Sequence, residues 1–299
     1  MPDGRAVVVT GASRGLGLAT AAHLHRAGWT VVAAVRSPAT AIDALRAATG
    51  APETDTRLLA VGLDLLDRDS IGRAAGEILE RVGAPHGLVH NAGIAGVGCL
   101  EEMPDDYWEQ VHTTNYLGPV RLTRALLPPM RHAGRGRIVM VSSEGALHGM
   151  PGIGAYSAAK GAVERWAESL SQEVAPFGIG VTVLVAGTFK TDILERTPTF
   201  ADRDGPYGSF HDHLERSGRR FIRIAASPDR FAPAVQRALE EEGPFRRHAV
   251  GIDARLLLIG SRLLPTRALR WSLEKVLRLP SSGSLVGDRH QTAVVSDPT

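Results

Sequence analysis

The sequence predicts an α/β fold: one doubly wound parallel sheet of about seven strands with helices on both faces, extended by a lid and by C-terminal helices. Three observations predict it. Short apolar runs alternate with longer stretches of helical periodicity, the rhythm of βαβ units. Most of the short runs are rich in Val, as strands covered on both faces are. The first run leads directly into a glycine-rich turn that opens a helix.

The strand candidates are residues 6–9, 30–35, 58–61, 87–90, 137–141 and 180–185, with 247–250 as a weaker seventh. Helical patterns lie between them at 15–27, 39–49, 67–81, 105–127, 153–175 and 228–242. Gly28 and Gly50 sit where helix ends favour a left-handed residue, and Pro128 with Pro129 is expected to stop the fourth helix. Residues 188–226 mix Gly, Pro, aromatic and charged side chains with no clear strand, so this segment is read as a substrate lid. Residues 252–280 repeat Leu and Arg at helical spacing, divided by Pro265, and predict two amphipathic helices ahead of a frayed tail over 281–299. No linker composition divides the chain, and residues 1–299 are read as one domain.

Composition narrows the function classes. With 299 residues, 43% of them apolar, the chain can bury roughly three quarters of its unfolded surface without disulfides or metals. Its single cysteine, Cys99, can form no internal bridge and no multi-thiolate site, so no metal is expected and a reducing, cytoplasmic setting is. The first ten residues do not resemble a secretion signal. No apolar window reaches spanning length, because the richest run, 256–260, is bounded by Arg255 and Arg262. A net charge of +2 argues against a nucleic-acid partner. The charge is nevertheless uneven, with eight Arg or Lys against two acids between residues 243 and 280.

The turn Thr10-Gly11-Ala12-Ser13-Arg14-Gly15-Leu16-Gly17 suits a phosphate. Glycines let the backbone turn tightly and approach an anion, while free N–H groups and the positive end of the helix face it. No Gly-Lys-Ser or Gly-Lys-Thr follows, so this is not a P-loop. The spacing G-x-x-x-G-x-G resembles that of the short-chain dehydrogenase/reductase family, a Rossmann-type fold, and the likeness runs over residues 5–192. A carboxylate at the end of the second strand would favour NAD, and arginine the 2′-phosphate of NADP. This chain has Val35 and then Arg36. Arg36 and Arg14 are therefore expected to converge on that phosphate, and NADP(H) is expected over NAD(H).

Tyr156 and Lys160, four apart, lie one above the other on a helix, on the same stripe as Val163, Ala167, Leu170 and Val174. Lysine on an apolar face needs a reason. Hydride reduction of a carbonyl builds negative charge on oxygen, which must be stabilised and then protonated. Tyr156 is the expected general acid, or base in the oxidative direction. Because a phenol titrates near pH 10, a cation must favour its phenolate, and Lys160 is expected to supply it. The preceding strand ends in Ser142 and Ser143, and Ser143 is the expected donor to the substrate oxygen.

The family resemblance implies further roles. Asn115 would complete the catalytic set with Ser143, Tyr156 and Lys160 by holding a relay water. Asp64, with Leu65, would meet the adenine, and Asn91-Ala92-Gly93 would back the dinucleotide. Gly11, Ser13, Arg14, Gly15, Leu16 and Gly17 would cradle the phosphates, Tyr156 and Lys160 would border the nicotinamide ribose, and Gly187, Thr188, Phe189 and Thr191 would hold its carboxamide. The family's proline before Gly187 is Ala186 here. His90 is read as structural.

Chain length and the added helices resemble the steroid and retinol dehydrogenase branch. The expected substrate is a bulky apolar ketone, aldehyde or alcohol of steroid, retinoid, lipid or polyketide type. Specificity is expected from residues 144–154 and 188–223, with Leu147, Met150, Phe189, Ile193, Leu194, Phe200, Tyr207 and Phe210 as apolar candidates. A homodimer or homotetramer through the helices at 105–127 and 153–175 is implied by the family. The basic C-terminal helices are expected to cover the pocket or another subunit, with weak peripheral membrane contact as their second use. Two other functions share the fold: a non-catalytic NADP-binding sensor or assembly module, and an epimerase or dehydratase.

Overall fold

Strand β1 (Ala6–Thr10) is buried at every position, as a Val-rich run between two helical layers must be. The computed structural model describes residues 5–191 and 197–286. Around β1 lie β2 (Thr30–Val35), β3 (Leu58–Gly62), β4 (Gly87–His90), β5 (Gly136–Ser143), β6 (Ile179–Ala186) and β7 (Phe245–Val250). All pair in parallel in the order β3-β2-β1-β4-β5-β6-β7, so the sheet reverses its winding between β1 and β4. Ligands of such sheets bind at the carboxyl ends of the strands beside that reversal. The seven strands fall within three residues of their expected bounds.

Alternation along β1 divides the core. Val7 and Val9 face one layer, where α1 (Gly15–Arg26), α2 (Pro38–Thr49) and α9 (Ala232–Glu240) contribute Leu24, Leu45 and Leu239. Val8 faces the other, where α3 (Arg68–Val82), α5 (Gly118–His132) and α7 (Gly154–Val174) contribute Ile78, Leu126 and Leu170.

The helix expected over 105–127 differs in two ways. It is built from α4 (Asp105–His112), a π-helical turn (Thr113–Leu117) and α5. Nor do Pro128 and Pro129 stop it, since α5 runs on to His132. The prolines forfeit two N–H donors near the helix end, but one more turn buries Met130 to 1% exposure in the core.

The segment read as a lid carries a 17-residue helix, α8 (Gly208–Ile224). The sequence hid it because His211 and Ser217, both polar, are among the side chains it buries, which breaks the apolar stripe. A four-residue helix, α6 (Glu144–Leu147), follows β5 and was likewise not anticipated. The expected C-terminal pair is α10 (Ile252–Leu263) and α11 (Thr266–Leu277), parted at Pro265. Helix α10 buries Ala254 and Leu258, while Ile252, Leu256, Ile259 and Leu263 stand exposed along its other side. Helix α11 packs on α8, where Ser217 Oγ donates to the Leu277 carbonyl at 2.5 Å. Part of the expected frayed tail, 287–299, lies outside the described residues.

Candidate active site

At the winding reversal, Thr10 joins the ends of β1 and β4. Its buried Oγ1 accepts from the Asn91 and Ala92 amides, each at 3.0 Å, and donates to the Val89 carbonyl. Asn91 Nδ2 returns a bond to the Thr10 carbonyl at 2.9 Å. The two turns expected to meet a dinucleotide are thus fixed to each other.

Glycine is required at Gly11, whose φ is +68° and where a Cβ would stand 2.9 Å from Ala92 Cα. At Gly17 a Cβ would run into the Gly11 carbonyl and Asn91 Nδ2. Helix α1 begins after Arg14 with no side-chain cap and no acid in its first turn. Its first amides and its positive end are thus left to an outside anion, a cradle that fits a dinucleotide phosphate. Thr191 closes the cradle from beyond β6, its Cγ2 3.4 Å from where a Cβ would be at Gly15.

Arg14 and Arg36 are both exposed, and neither has an acidic partner among the described residues. Asp64 lies two residues beyond β3, where one carboxylate oxygen accepts the Leu66 amide at 3.0 Å. Leu65 packs under Gly118, where a Cβ would lie 2.7 Å from Leu65 Cβ.

The chemical groups converge from three elements. Ser143 ends β5 beside Ala186 of β6 and caps α6 through the Gly145 amide at 3.4 Å. Tyr156 and Lys160 descend from α7, and Asn115 projects from the π turn, 2% exposed. That turn widens the helix by one residue and swings Asn115 inward. Its carboxamide exchanges two bonds of 2.8 Å with the Ile94 peptide, which fixes the chain after Gly93 beside Lys160.

The Lys160 ammonium is buried and donates to the Val141 carbonyl at 2.7 Å. Burial pushes it down to about 8, against the pull of Glu164. Burial pushes the Tyr156 phenol up, while its hydrogen bond with Ser143 draws it the other way. Nζ lies 5.7 Å from the ring centre and is turned to Val141, so burial outweighs the ammonium at the phenol. Ser142 serves structure: its Oγ donates to buried Glu164 at 2.7 Å, and Glu164 pairs with Arg247 at 3.0 Å. His90 is neutral, brought down to about 3 by burial and then by Lys160, and meets Thr123 at 2.7 Å.

Four of the six described apolar substrate candidates are otherwise engaged. Phe189 is buried against Phe231, with ring centres 5.4 Å apart. Phe200 packs on Tyr107 at 4.9 Å, the Tyr207 hydroxyl donates to Glu101 at 2.8 Å, and Leu147 backs the core. Met150 and Phe210 remain half-buried, whereas Ile193 and Leu194 lie outside the described residues.

Sequence reasoning missed several groups. Glu144, next to Ser143, is pushed up to about 7 by burial and then by the charge of Asp253. Asp253 accepts the Thr188 amide at 2.7 Å across a separation of 65 residues, which no local pattern could signal. Glu102 meets His211 Nε2 at 2.7 Å and accepts the Cys99 amide at 2.6 Å, which fastens α8 to the loop after β4. Beside it, burial and then Glu102 push the Cys99 thiol up to about 12.

A family model described as short chain dehydrogenase matches residues 5–201. A crystal structure of a short-chain dehydrogenase from Streptomyces avermitilis is 35% identical, with a TM-score of 0.77, over 93% of this chain and 98% of that one. The curated relatives include the oxidoreductase BOA17 of Botryotinia fuckeliana, 34% identical over 82% of this chain and 88% of its own length. Retinol dehydrogenase 5 of Mus musculus is 31% identical over 92% of this chain and 89% of its own.

Proposed function

The chain belongs to the short chain dehydrogenase family of oxidoreductases, which interconvert CH–OH and C=O groups with a nicotinamide cofactor, and on that premise we propose an NADP(H)-dependent enzyme for a bulky apolar carbonyl or alcohol. The observation that carries this reading is the convergence of Ser143, Tyr156, Lys160 and Asn115 at the strand ends beside the uncapped α1 turn.

The dinucleotide would be held by residues 11–17, Asp64, Leu65, Asn91, Ala92, Gly93 and the 187–191 loop, and when bound it supplies or accepts the hydride. Ser143 Oγ and the Tyr156 hydroxyl orient the substrate oxygen from two sides. As charge grows on that oxygen, the Tyr156 O–H delivers its proton. Lys160 stabilises the phenolate left behind, and Asn115 keeps the Ile94 chain against Lys160.

Preference for NADP(H) is supported by apolar Val35 and by two exposed guanidiniums, Arg14 and Arg36, that have no acidic partner among the described residues. The apolar substrate class is supported by half-buried Met150 and Phe210, by residues 188–226 as a lid held through Glu102 and His211, and by the retinol dehydrogenase among the relatives. One buried free thiol supports a cytoplasmic setting, and no helix among the described residues is long and apolar enough to cross a membrane. The exposed stripe of α10, with Arg255 and Arg262 on the same helix, favours a second copy or an anionic lipid surface as its cover. Solution mass and vesicle co-sedimentation separate these two.

The experiment is NADPH and NADH oxidation with steroid, retinoid, aliphatic and polyketide-like carbonyls, alongside dinucleotide titration. Turnover with a preference for NADPH is expected. Tight binding without turnover would assign a sensor, and substrate conversion without net cofactor change an epimerase or dehydratase.

A further inference from the structure

We propose that Asp253, in the first turn of α10, is a positioning residue for the dinucleotide: its carboxylate holds the Thr188 amide and so directs the neighbouring Phe189 N–H as a donor to the ligand. The proposal rests on the dinucleotide reading above and assigns the C-terminal helix a part in it.

The loop after β6 can be followed amide by amide. Gly187 N donates to the Val250 carbonyl at 2.9 Å, Thr188 N to Asp253 Oδ2 at 2.7 Å, and Lys190 N to the Ala226 carbonyl at 2.8 Å. The Thr188 carbonyl accepts from Ala226 N at 3.1 Å. The Phe189 N–H takes part in none of these bonds, and the Phe189 ring is locked against Phe231. Direction is therefore fixed on both sides of the Phe189 N–H, which has no partner among the described residues, the arrangement a ligand carbonyl needs.

An acid in a first helical turn often does no more than favour its own helix. Asp253 does that with one oxygen, since Oδ1 accepts from Ala254 N at 3.0 Å. The other oxygen leaves the helix, and the ends of β6 and β7 are shaped to admit the carboxylate. A Cβ at Gly251, whose φ is +115°, would lie 2.5 Å from Oδ1, and one at Gly187 would overlap the same oxygen. These two adjoining strand ends, Ala186 beside Val250, thus form a slot that only glycine leaves open. Glu144 borders the slot, and its raised pKa lets it be neutral beside the charge of Asp253.

Asp253→Asn keeps the shape but turns an NH2 toward one of two N–H donors. Hydrogen exchange at the Thr188 amide, read on the dinucleotide-free protein, is expected to quicken about tenfold. The Kd for NADPH is expected to rise about tenfold while the thermal midpoint moves by only a few degrees. Gly187→Ala fills the slot and is expected to give the same two changes, with the double variant no worse than either single one. An unchanged Kd in folded Asp253→Asn, or unchanged exchange at Thr188, would overturn the proposal. A wild-type protein that binds neither NADPH nor NADH would overturn the dinucleotide reading along with it, and the wild-type titration distinguishes that failure from the others.

Discussion

Lys160 donates its buried ammonium to the Val141 carbonyl at 2.7 Å, so the cation expected to serve Tyr156 is turned into the end of β5. Holding a charge there is costly. The fall from 10.5 to about 8 corresponds to roughly 3 kcal/mol, against about 1–2 kcal/mol for the one hydrogen bond. Below about 8 the folded protein carries this penalty in full, and it fades as pH rises to 10.5, where the unfolded chain also loses the proton. Lys160→Met is therefore expected to abolish turnover and yet unfold no earlier than wild type at neutral pH. Urea titrations at neutral and alkaline pH check this, and a loss of stability at neutral pH would contradict it.

Tyr156→Phe removes only a hydroxyl from a half-buried ring. Carbonyl reduction is expected to slow by about 10²- to 10⁴-fold with the Kd for dinucleotide unchanged. Single-turnover kinetics beside a binding titration make the comparison, and near wild-type turnover would remove Tyr156 from the proton transfer.

Arg36 is exposed and free of acidic partners among the described residues, so its removal should leave the fold intact. Arg36→Ala is expected to raise KM for NADPH by about 10- to 100-fold through loss of a charge-assisted phosphate contact, with KM for NADH little changed. Steady-state kinetics with both cofactors measure it. Equal effects on the two would end the argument for a 2′-phosphate site.

Glu144 is held near 7 against an ordinary 4.5, so the folded protein binds its proton more tightly than the unfolded chain. The resulting cost is absent below 4.5, grows between the two values and is complete above about 7. Glu144→Gln should therefore stabilise the protein by about 2 kcal/mol above pH 7 and by nothing in acid. Denaturation at the two pH extremes tests the sign, and a gain of equal size at both would show that charge is not its cause.

Seven strands, the burial of most of them on both faces, the glycine turn and the pairing of Tyr156 with Lys160 were legible in the sequence, because each rests on local composition, periodicity or spacing. Helix α8 was not, since it buries polar His211 and Ser217 among its inward side chains. The continuation of α5 through Pro128 and Pro129 was decided by the burial of Met130, a tertiary gain that local propensity does not contain. Phe189, Phe200 and Tyr207 carried the signature of an apolar pocket, but apolar character cannot say whether a ring meets a ligand or another ring. The sequence by itself determined which residues would stand at the strand ends. Only the tertiary structure decided that Asn115 would bind the Ile94 peptide, that Lys160 would face Val141 and that Asp253 would reach Thr188, because hydrogen bonds between distant segments and the desolvation of a buried charge exist only once the chain has closed around them.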